Sequence, residues 1–339
     1  MERVSVVIPN WNGEKFLTLC LKALRSQTYR DFAAYVVDNG SNDDSIDLIE
    51  REFPEVKIIR FPLNRGFSAA VNAGIKASAG DYIVLLNNDT EVDVSWLEEL
   101  VSVLDTRDEI GFCASKILDF KDRTVIDSVG DSYSRLGIAF KVGSRETDNG
   151  QYEQSVEVFS ASAAASIYRR TLFDEIGFFD EDFFAYMEDM DIGIRARLAG
   201  YRCLFVPTAK VFHIGSASSG GDMSVFSLRL TVKNIYNIII KDMPLRILIQ
   251  ILPATILVQL AVITRSLFTT RHSKARKNMR GYFQGILAAI SDMPTMLRKR
   301  RRVQRMRRVS VREFTEMLRR GERQARESRR TAGSNDSRL

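Results

Sequence analysis

Tyr82-Ile83-Val84-Leu85-Leu86-Asn87-Asn88-Asp89-Thr90 decides the fold of this chain. Five apolar residues without alternation predict a strand buried on both faces, as in a sheet covered by helices on either side. In an open α/β sheet, ligands collect at the carboxyl ends of such strands. A carboxylate placed there between amides suits a hard divalent cation, which in turn holds a diphosphate.

Upstream of this stretch, short apolar runs alternate with helical patterns, the layout of βαβ units around a largely parallel sheet. The spacing predicts strands at Val4–Pro9, Ala34–Val37 and Val56–Phe61, and helices at Gly13–Ser26, Ser45–Phe53 and Phe67–Ala79. Ser95-Trp96-Leu97-Glu98 has the spacing of a capping box for the next helix. Downstream, Cys113–Leu118 and Phe159–Tyr168 predict strands, Asp189–Leu198 a helix, and Tyr201–Val206 and Lys210–Phe212 the last strands. Between them Asp119–Gly150 is polar and holds Gly130, Gly137, Gly143 and Gly150, so it predicts a long substrate-facing lid.

Six constellations carry chemistry. Pro9-Asn10-Trp11-Asn12-Gly13 closes the first strand, where free backbone N–H groups face an anion or a base edge. Asp38-Asn39-Gly40-Ser41 ends the second strand; a carboxylate there accepts from a ribose or a pyrimidine N–H. No G-x-G-x-x-G follows the first strand, which argues against a nicotinamide dinucleotide. Asn64-Arg65-Gly66-Phe67, with Asn72 and Gly74 beyond, is a loop feeding a helix at a third strand end. Asn87-Asn88-Asp89 is the fourth. Glu188-Asp189-Met190-Asp191 puts three acids at a helix start, where the dipole favours them. Asp191 and Arg195 are spaced to pair, which leaves Asp189 free. Phe178, Phe179, Phe183, Phe184 and Tyr186 surround these acids, and a carboxyl among aromatics has raised proton affinity suited to a general base. His213-Ile214-Gly215-Ser216 contains one of two histidines and is a candidate cation or phosphate ligand.

The 339 residues are 45% hydrophobic and 27% charged, enough to bury a sizeable core and to exclude global disorder. Cys20, Cys113 and Cys203 show neither metal spacing nor a paired framework, which fits a reducing compartment. Val4–Ile8, followed at once by Pro9-Asn10, is too short for a signal peptide. The stretch Arg298–Arg330 carries 15 Lys/Arg against 4 Glu, so the net +6 divides into a basic tail of +11 and a body of −5.

In this order, the motifs resemble the family 2 glycosyltransferases with the GT-A fold, most closely the rhamnosyltransferase-like branch of bacterial surface polysaccharide synthesis. Ile8-Pro9-Asn10-Trp11-Asn12-Gly13, Gln27-Thr28-Tyr29, Val37-Asp38-Asn39-Gly40-Ser41, Asn64-Arg65-Gly66-Phe67, Asn87-Asn88-Asp89-Thr90, the Glu188–Asp191 helix and His213 carry the resemblance, over Arg3–Ser218. It implies an α/β fold of the GT-A type: a Rossmann-like, mostly parallel mixed sheet flanked by helices. It implies an inverting, metal-dependent transfer of a sugar, rhamnose by the branch, from a nucleotide-diphosphate donor to a lipid-linked or polysaccharide acceptor. Donor binding would fall to Pro9, Asn10, Asn12, Asp38, Gly40, Ser41, Asn64, Arg65, Gly66, Asn72, Asn87 and Asn88. Asp89 would fill the last position of the family's D-x-D motif and bind Mg2+ or Mn2+ with His213; Asn87 departs from the motif's first position. Asp189 would be the catalytic base, with Glu188 and Asp191 beside it, Asp191 orienting the acceptor.

The division expected is a catalytic domain over 1–220, a helical membrane-associating region with its basic tail over 221–330, and a polar disordered end over 331–339. Leu245–Phe268 is long enough to span a bilayer, though Pro253, Gln250 and Gln259 interrupt it. Gly281–Leu297 is amphipathic, and arginines follow it directly. That composition favours in-plane attachment to an anionic leaflet over a span, a re-entrant hairpin or a homo-oligomer interface. The cytoplasmic face of the bacterial inner membrane would suit it. Two rival readings are a sugar-phosphate nucleotidyltransferase, which also needs a nucleotide crevice and a metal, and a nucleic-acid-binding protein using the basic tail. Against the second, the tail interleaves no aromatic residue except Phe314, so no nucleic-acid partner is expected.

Overall fold

The structure, a computed structural model, describes residues 2–215, 224–269 and 272–336. The Ser216 of the histidine motif, the end of the resemblance at Ser218, and the Gly220-Gly221 boundary lie outside the described residues. The first half alternates as its periodicity predicts: β1 (Val4–Asn10), α1 (Glu14–Arg25), β2 (Phe32–Asn39), α2 (Ser45–Glu52), β3 (Lys57–Phe61), α3 (Phe67–Ala77) and β4 (Tyr82–Leu86). There follow β5 (Thr90–Val92), α4 (Trp96–Thr106), β6 (Ile110–Asp119), β7 (Ile126–Ser128), β8 (Asp131–Tyr133), β9 (Ala139–Lys141), β10 (Glu157–Val158) and β11 (Ala165–Arg169). The rest comprises α5 (Arg170–Ile176), α6 (Glu188–Leu198), β12 (Arg202–His213), α7 (Val225–Asp242), α8 (Leu245–Thr269), α9 (His272–Met306) and α10 (Val311–Asp336).

The main sheet runs β10-β12-β6-β11-β4-β1-β2-β3, with β5 on β12 and β7 on β6. β1 to β4 are parallel, and β11 is antiparallel to both its neighbours. All five residues of β4 are buried, as a strand covered on both faces requires. β1 pairs with β2 in the register Asn10↔Asp38, and with β4 on its other side, so three strand tips end side by side.

Several expectations are corrected. No capping box forms at Ser95, whose Oγ turns to Asp93 instead. The buried Gln27 does the work: its Oε1 accepts from Leu97 N at 2.9 Å, and its Nε2 donates to the Asp93 carbonyl at 2.7 Å. Only the second half of Phe159–Tyr168 is strand; at Ser160 the backbone pairs with Asp131 instead. The last two predicted strands are one, β12, with an irregularity between Val206 and Lys210. Asp119–Gly150 is not an open lid. It folds into β7, β8 and β9, with Ile126, Val129, Tyr133 and Val142 buried.

The C-terminal helices pack on the sheet domain through one apolar cluster. It joins Ile194 and Leu198 of α6 to Ile238 and Ile239 of α7, Ile247 and Ile251 of α8, Val303 of α9, and Phe314 and Leu318 of α10. The basic stretch is therefore no free tail: Phe314 packs against Phe159, and Arg135 and Glu322 form a two-pronged pair. The helix α10 extends to Asp336, and residues 337–339 of the polar end expected over 331–339 lie outside the described residues. Leu245–Thr264 is long and apolar enough to cross a membrane, with a mean hydropathy of 2.2 and 22% of it buried.

Candidate active site

The three adjacent strand tips are tied by amides. Asn10 at the end of β1 donates from Nδ2 to Asp38 Oδ1 at 3.2 Å and accepts on Oδ1 from Asn88 Nδ2 at 2.7 Å. Gly13 makes room for this bridge, because a Cβ there would lie 2.1 Å from both Asn10 Oδ1 and Asn88 Nδ2. Ser41 Oγ accepts from Asn12 N at 2.8 Å, and Asp38 Oδ2 accepts from Ser41 N at 3.2 Å. Gly40, Asn12 and Ser41 thus shape the turn beside Asp38. Asn39 joins the next loop: its Oδ1 accepts from Arg65 N, and its Nδ2 donates to Asn64 Oδ1 and to the Gly66 carbonyl.

In front of these tips lies a cleft of about 730 Å3. Pro9, Asn10, Asn64, Gly66, Asn87, Asn88, Asp89, Glu188, Asp189 and His213, all singled out from sequence, line it. Asp38 is buried behind Asn10 and meets the cleft through that amide. Asn12, Gly40 and Ser41 stand beside Asp38 outside the cleft lining, and three further candidates are elsewhere. Arg65 is half exposed, lies over Phe61 and faces Glu181. Asn72 is buried and fastens the Phe179 backbone through both ends of its amide. Asp191 faces away from the cleft. It pairs with Arg195 at 2.7 Å and with Lys241 of α7; burial alone would raise its proton affinity, but these two cations outweigh it and leave the carboxyl well below the usual range. The predicted Asp191–Arg195 pairing holds, so Asp191 anchors α6 and orients no acceptor.

Glu188 and Asp189 open α6 after a strained approach. Phe184, Tyr186 and Met187 all have left-handed backbones, with φ of 64°, 70° and 68°. Such conformations cost about 1–3 kcal/mol each and persist only where the surroundings over-determine them. Here the buried Asn234 of α7 supplies the constraint, its Nδ2 donating to the carbonyls of Phe183, Ala185 and Tyr186 at 3.0, 3.0 and 2.7 Å. Gly66 completes the fit, since a Cβ there would sit 2.5 Å from the Phe184 carbonyl. Replacing Asn234 by Leu should cost about 3 kcal/mol or more, as buried carbonyls lose their donor. Chemical denaturation measures it; a stability equal to the parent's would show that the loop holds itself.

Of the aromatic collar, Phe184 and Tyr186 line the cleft, while Phe179 and Phe183 are core. Burial raises the proton affinity of Asp189, although the Met190 N–H, 2.8 Å from Oδ1, and Lys141 oppose it. Burial, with Asp189 adjacent, raises Glu188 well above the usual carboxylate range, and its Oε2 has no hydrogen-bond partner.

The segment expected as a lid contributes groups that sequence reasoning missed. Lys141 Nζ lies 2.7 and 2.9 Å from the two carboxylate oxygens of Asp127. Asp127 Oδ2 meets His213 Nδ1 at 2.9 Å, and His213 Nε2 points at Asp89 Oδ1, 3.4 Å away. Burial lowers the proton affinity of His213, but its bonds to Asp127 and Asp89 outweigh this and raise it to about 9. Lys141 lines the cleft with Trp11, Ser162, Tyr186 and Phe226. Strands of three residues carry no periodic signal, so nothing in the sequence marks Asp127 or Lys141.

Asp89, and His213 once a cation displaces the Nε2 proton that Asp89 attracts, are the donors suited to a metal: one carboxylate and one imidazole at one end of the cleft. No group of three or more His, Cys, Asp or Glu among the described residues could hold a metal. A cation here would therefore complete its sphere with ligand oxygens and water, as Mg2+ and Mn2+ do beside phosphates.

Comparison with known proteins follows the same lines. The profile described as Glycosyl transferase family 2 matches residues 5–177. The chain is 29% identical over 230 residues to the O-antigen biosynthesis protein RfbC of Myxococcus xanthus, covering 65% of this chain and 18% of that one. It is 30% identical to the uncharacterized glycosyltransferase YwdF of Bacillus subtilis, covering 65% of this chain and 76% of the relative. It is 28% identical to N-acetylglucosaminyl-diphospho-decaprenol L-rhamnosyltransferase of Mycobacterium tuberculosis, covering 64% and 78%. Among solved structures, S. aureus TarS in complex with UDP superposes with a TM-score of 0.56 at 18% identity, over 95% of this chain and 92% of that one. GalNAc-T7 with UDP, GalNAc and Mn2+ gives 0.57 at 19% identity, over 71% and 48%. These likenesses establish the fold as GT-A, with the mixed sheet and flanking helices described above.

Proposed function

Because this chain belongs to glycosyl transferase family 2, we propose that it transfers a sugar, with inversion, from a nucleotide-diphosphate donor to a hydroxyl of a lipid-linked saccharide. The observation that carries the reading is one cleft holding Asp89 and His213 together with a proton-seeking Asp189. The nucleoside would lie over the Asn10–Asp38 bridge, with Asn39 and Asn64 beside it. Asp189 would take the proton of the acceptor hydroxyl as that oxygen bonds to the anomeric carbon. The glycosidic C–O bond to the diphosphate breaks in the same displacement, and the nucleoside diphosphate leaves with the bonding pair. Asp89 and His213 would hold Mg2+ or Mn2+, which would neutralise charge on the departing diphosphate. Glu188, whose proton affinity burial raises, would face the same sugar or acceptor from beside Asp189.

Rhamnose as the sugar, and a lipid diphosphate saccharide as the acceptor, are favoured by the name of the mycobacterial relative. A place on the cytoplasmic face of a bacterial inner membrane agrees with the apolar α8. The test is thermal unfolding with a panel of sugar nucleotides, with and without Mn2+. A donor at a hundred times its Kd adds about 2.7 kcal/mol by mass action. One donor should raise the melting point, and chelation should abolish most of the rise. A rise with nucleoside triphosphates and none with any sugar nucleotide would favour a nucleotidyltransferase instead.

A further inference from the structure

The helix α9 changes character along one outward stripe. Phe283, Leu287, Ile290, Met293 and Leu297 are exposed, 65% for Phe283 and 56% for Ile290, and follow one another at helical spacing. At the same spacing the stripe then turns to arginine: Arg298, Arg301, Arg302 and Arg305 are exposed and line a shallow groove of about 700 Å3. None of these four has an ion-pair partner among the described residues. The other basic residues of this helix end are spent inward. Lys299 pairs with Asp180 and Asp182, and Arg300 donates to the Ile240 carbonyl at 2.8 Å.

The apolar part begins near the cleft. The helices α7 and α9 run parallel, since Gly281 meets Leu228, Gly285 meets Val232, and Asp292 accepts from Asn237 at 2.9 Å. The first turn of α7 carries Phe226, which is half exposed and lines the cleft. Phe283 therefore stands at the same end of the helix pair as the cleft mouth. In sequence, no Asp or Glu occurs from Met243 to Ser291, whereas five basic residues fall between Arg271 and Arg280. An apolar stripe that runs into exposed arginines matches apolar chains bordered by phosphates.

We propose that this stripe of α9 is the docking surface for an anionic lipid bilayer. Leu287 and Ile290 would enter the acyl boundary, and Arg298, Arg301, Arg302 and Arg305 would bind headgroup phosphates. This rests on the reading above only for its use, which is to bring the cleft mouth to a lipid-borne acceptor. The charge selects the occupant. A second copy packed along this stripe would offer the arginines no acid from 243 to 291, and a nucleic acid leaves the apolar half uncovered.

The experiment is cosedimentation of the full chain with vesicles of phosphatidylcholine alone or mixed with phosphatidylglycerol, without donor or acceptor. The parent should partition to the anionic vesicles and leave them as salt rises. Changing Arg298, Arg301, Arg302 and Arg305 together to Gln should weaken partition on the order of a hundred- to a thousandfold, at about one kcal/mol per basic residue. Leu287→Gln with Ile290→Gln should weaken it in low salt as well. All six positions are exposed, so the melting point should hold in both variants. Parent-like partition of the arginine variant, or salt-independent partition of the parent, would overturn the proposal. So would a parent that ignores vesicles but forms dimers that these variants split. A chain that binds vesicles but releases no nucleoside diphosphate leaves the surface standing and removes the proposed reaction; a chain that turns over without binding vesicles does the reverse.

Discussion

Asp189→Asn should lower transfer by at least about 10²–10⁴-fold, the share a positioned general base supplies, while the affinity for donor stays near the parent's. The amide keeps the size of the side chain and can still accept from the Met190 N–H, so α6 keeps its start. What is lost is a carboxylate whose burial makes it seek a proton. The same cause fixes the pH dependence. A base with raised proton affinity is neutralised above the usual carboxylate range, so parent activity should fall on the acid side earlier than for an exposed aspartate. That acid limb should be missing from whatever activity the variant keeps. Single-turnover rates across pH, with donor affinity from calorimetry, separate the two effects. A variant with parent-like turnover would remove Asp189 from the chemistry.

Asp191→Ala, two residues along the same helix, should behave in the opposite way. The Asp191 carboxylate is wholly buried between Arg195 and Lys241, and removing it leaves two buried cations short of their counter-charge. Breaking a buried pair in this manner costs about 3–5 kcal/mol. The folded-state proton affinity of Asp191 lies below its unfolded value, so its contribution is present above the unfolded pKa of about 4. It is lost as pH falls below that point, and the stability difference between parent and variant should narrow there. Urea unfolding at neutral and at acid pH measures both. An unchanged neutral midpoint would mean that Arg195 and Lys241 are satisfied by other partners, such as the Ile176 and Phe178 carbonyls on Arg195 and Asp180 on Lys241.

The contrast shows what the sequence could and could not carry. Asn10, Asp38 and Asn88 were legible because strand periodicity locates strand ends, and parallel order places those ends together. The Asp191–Arg195 pairing was legible as a four-residue spacing, yet that spacing does not say which face of α6 meets the cleft; Lys241, fifty residues away, decides it. Asn72 and Arg65 carried donor chemistry but were drawn off by Phe179 and Glu181, which lie more than a hundred residues distant. Lys141 and Asp127 sit on three-residue strands whose positions depend on packing against β6 and the cluster around Tyr133. Asn234 was invisible for the same reason: its three carbonyl partners belong to a loop about fifty residues upstream. The basic stretch after Arg298 read as one unit, whereas the structure divides it into inward-paired residues, an outward stripe, and a helix fastened by Phe314 and Leu318.

The reading of the cleft as a glycosyl-transfer site is tested most directly by the phosphate product released with an activated sugar, Mn2+ and a saccharide acceptor. Phosphorus NMR should show a nucleoside diphosphate formed in step with a new glycosidic bond of inverted anomeric configuration. Pyrophosphate in place of the nucleoside diphosphate, or a product that keeps the donor's anomeric configuration, would contradict it.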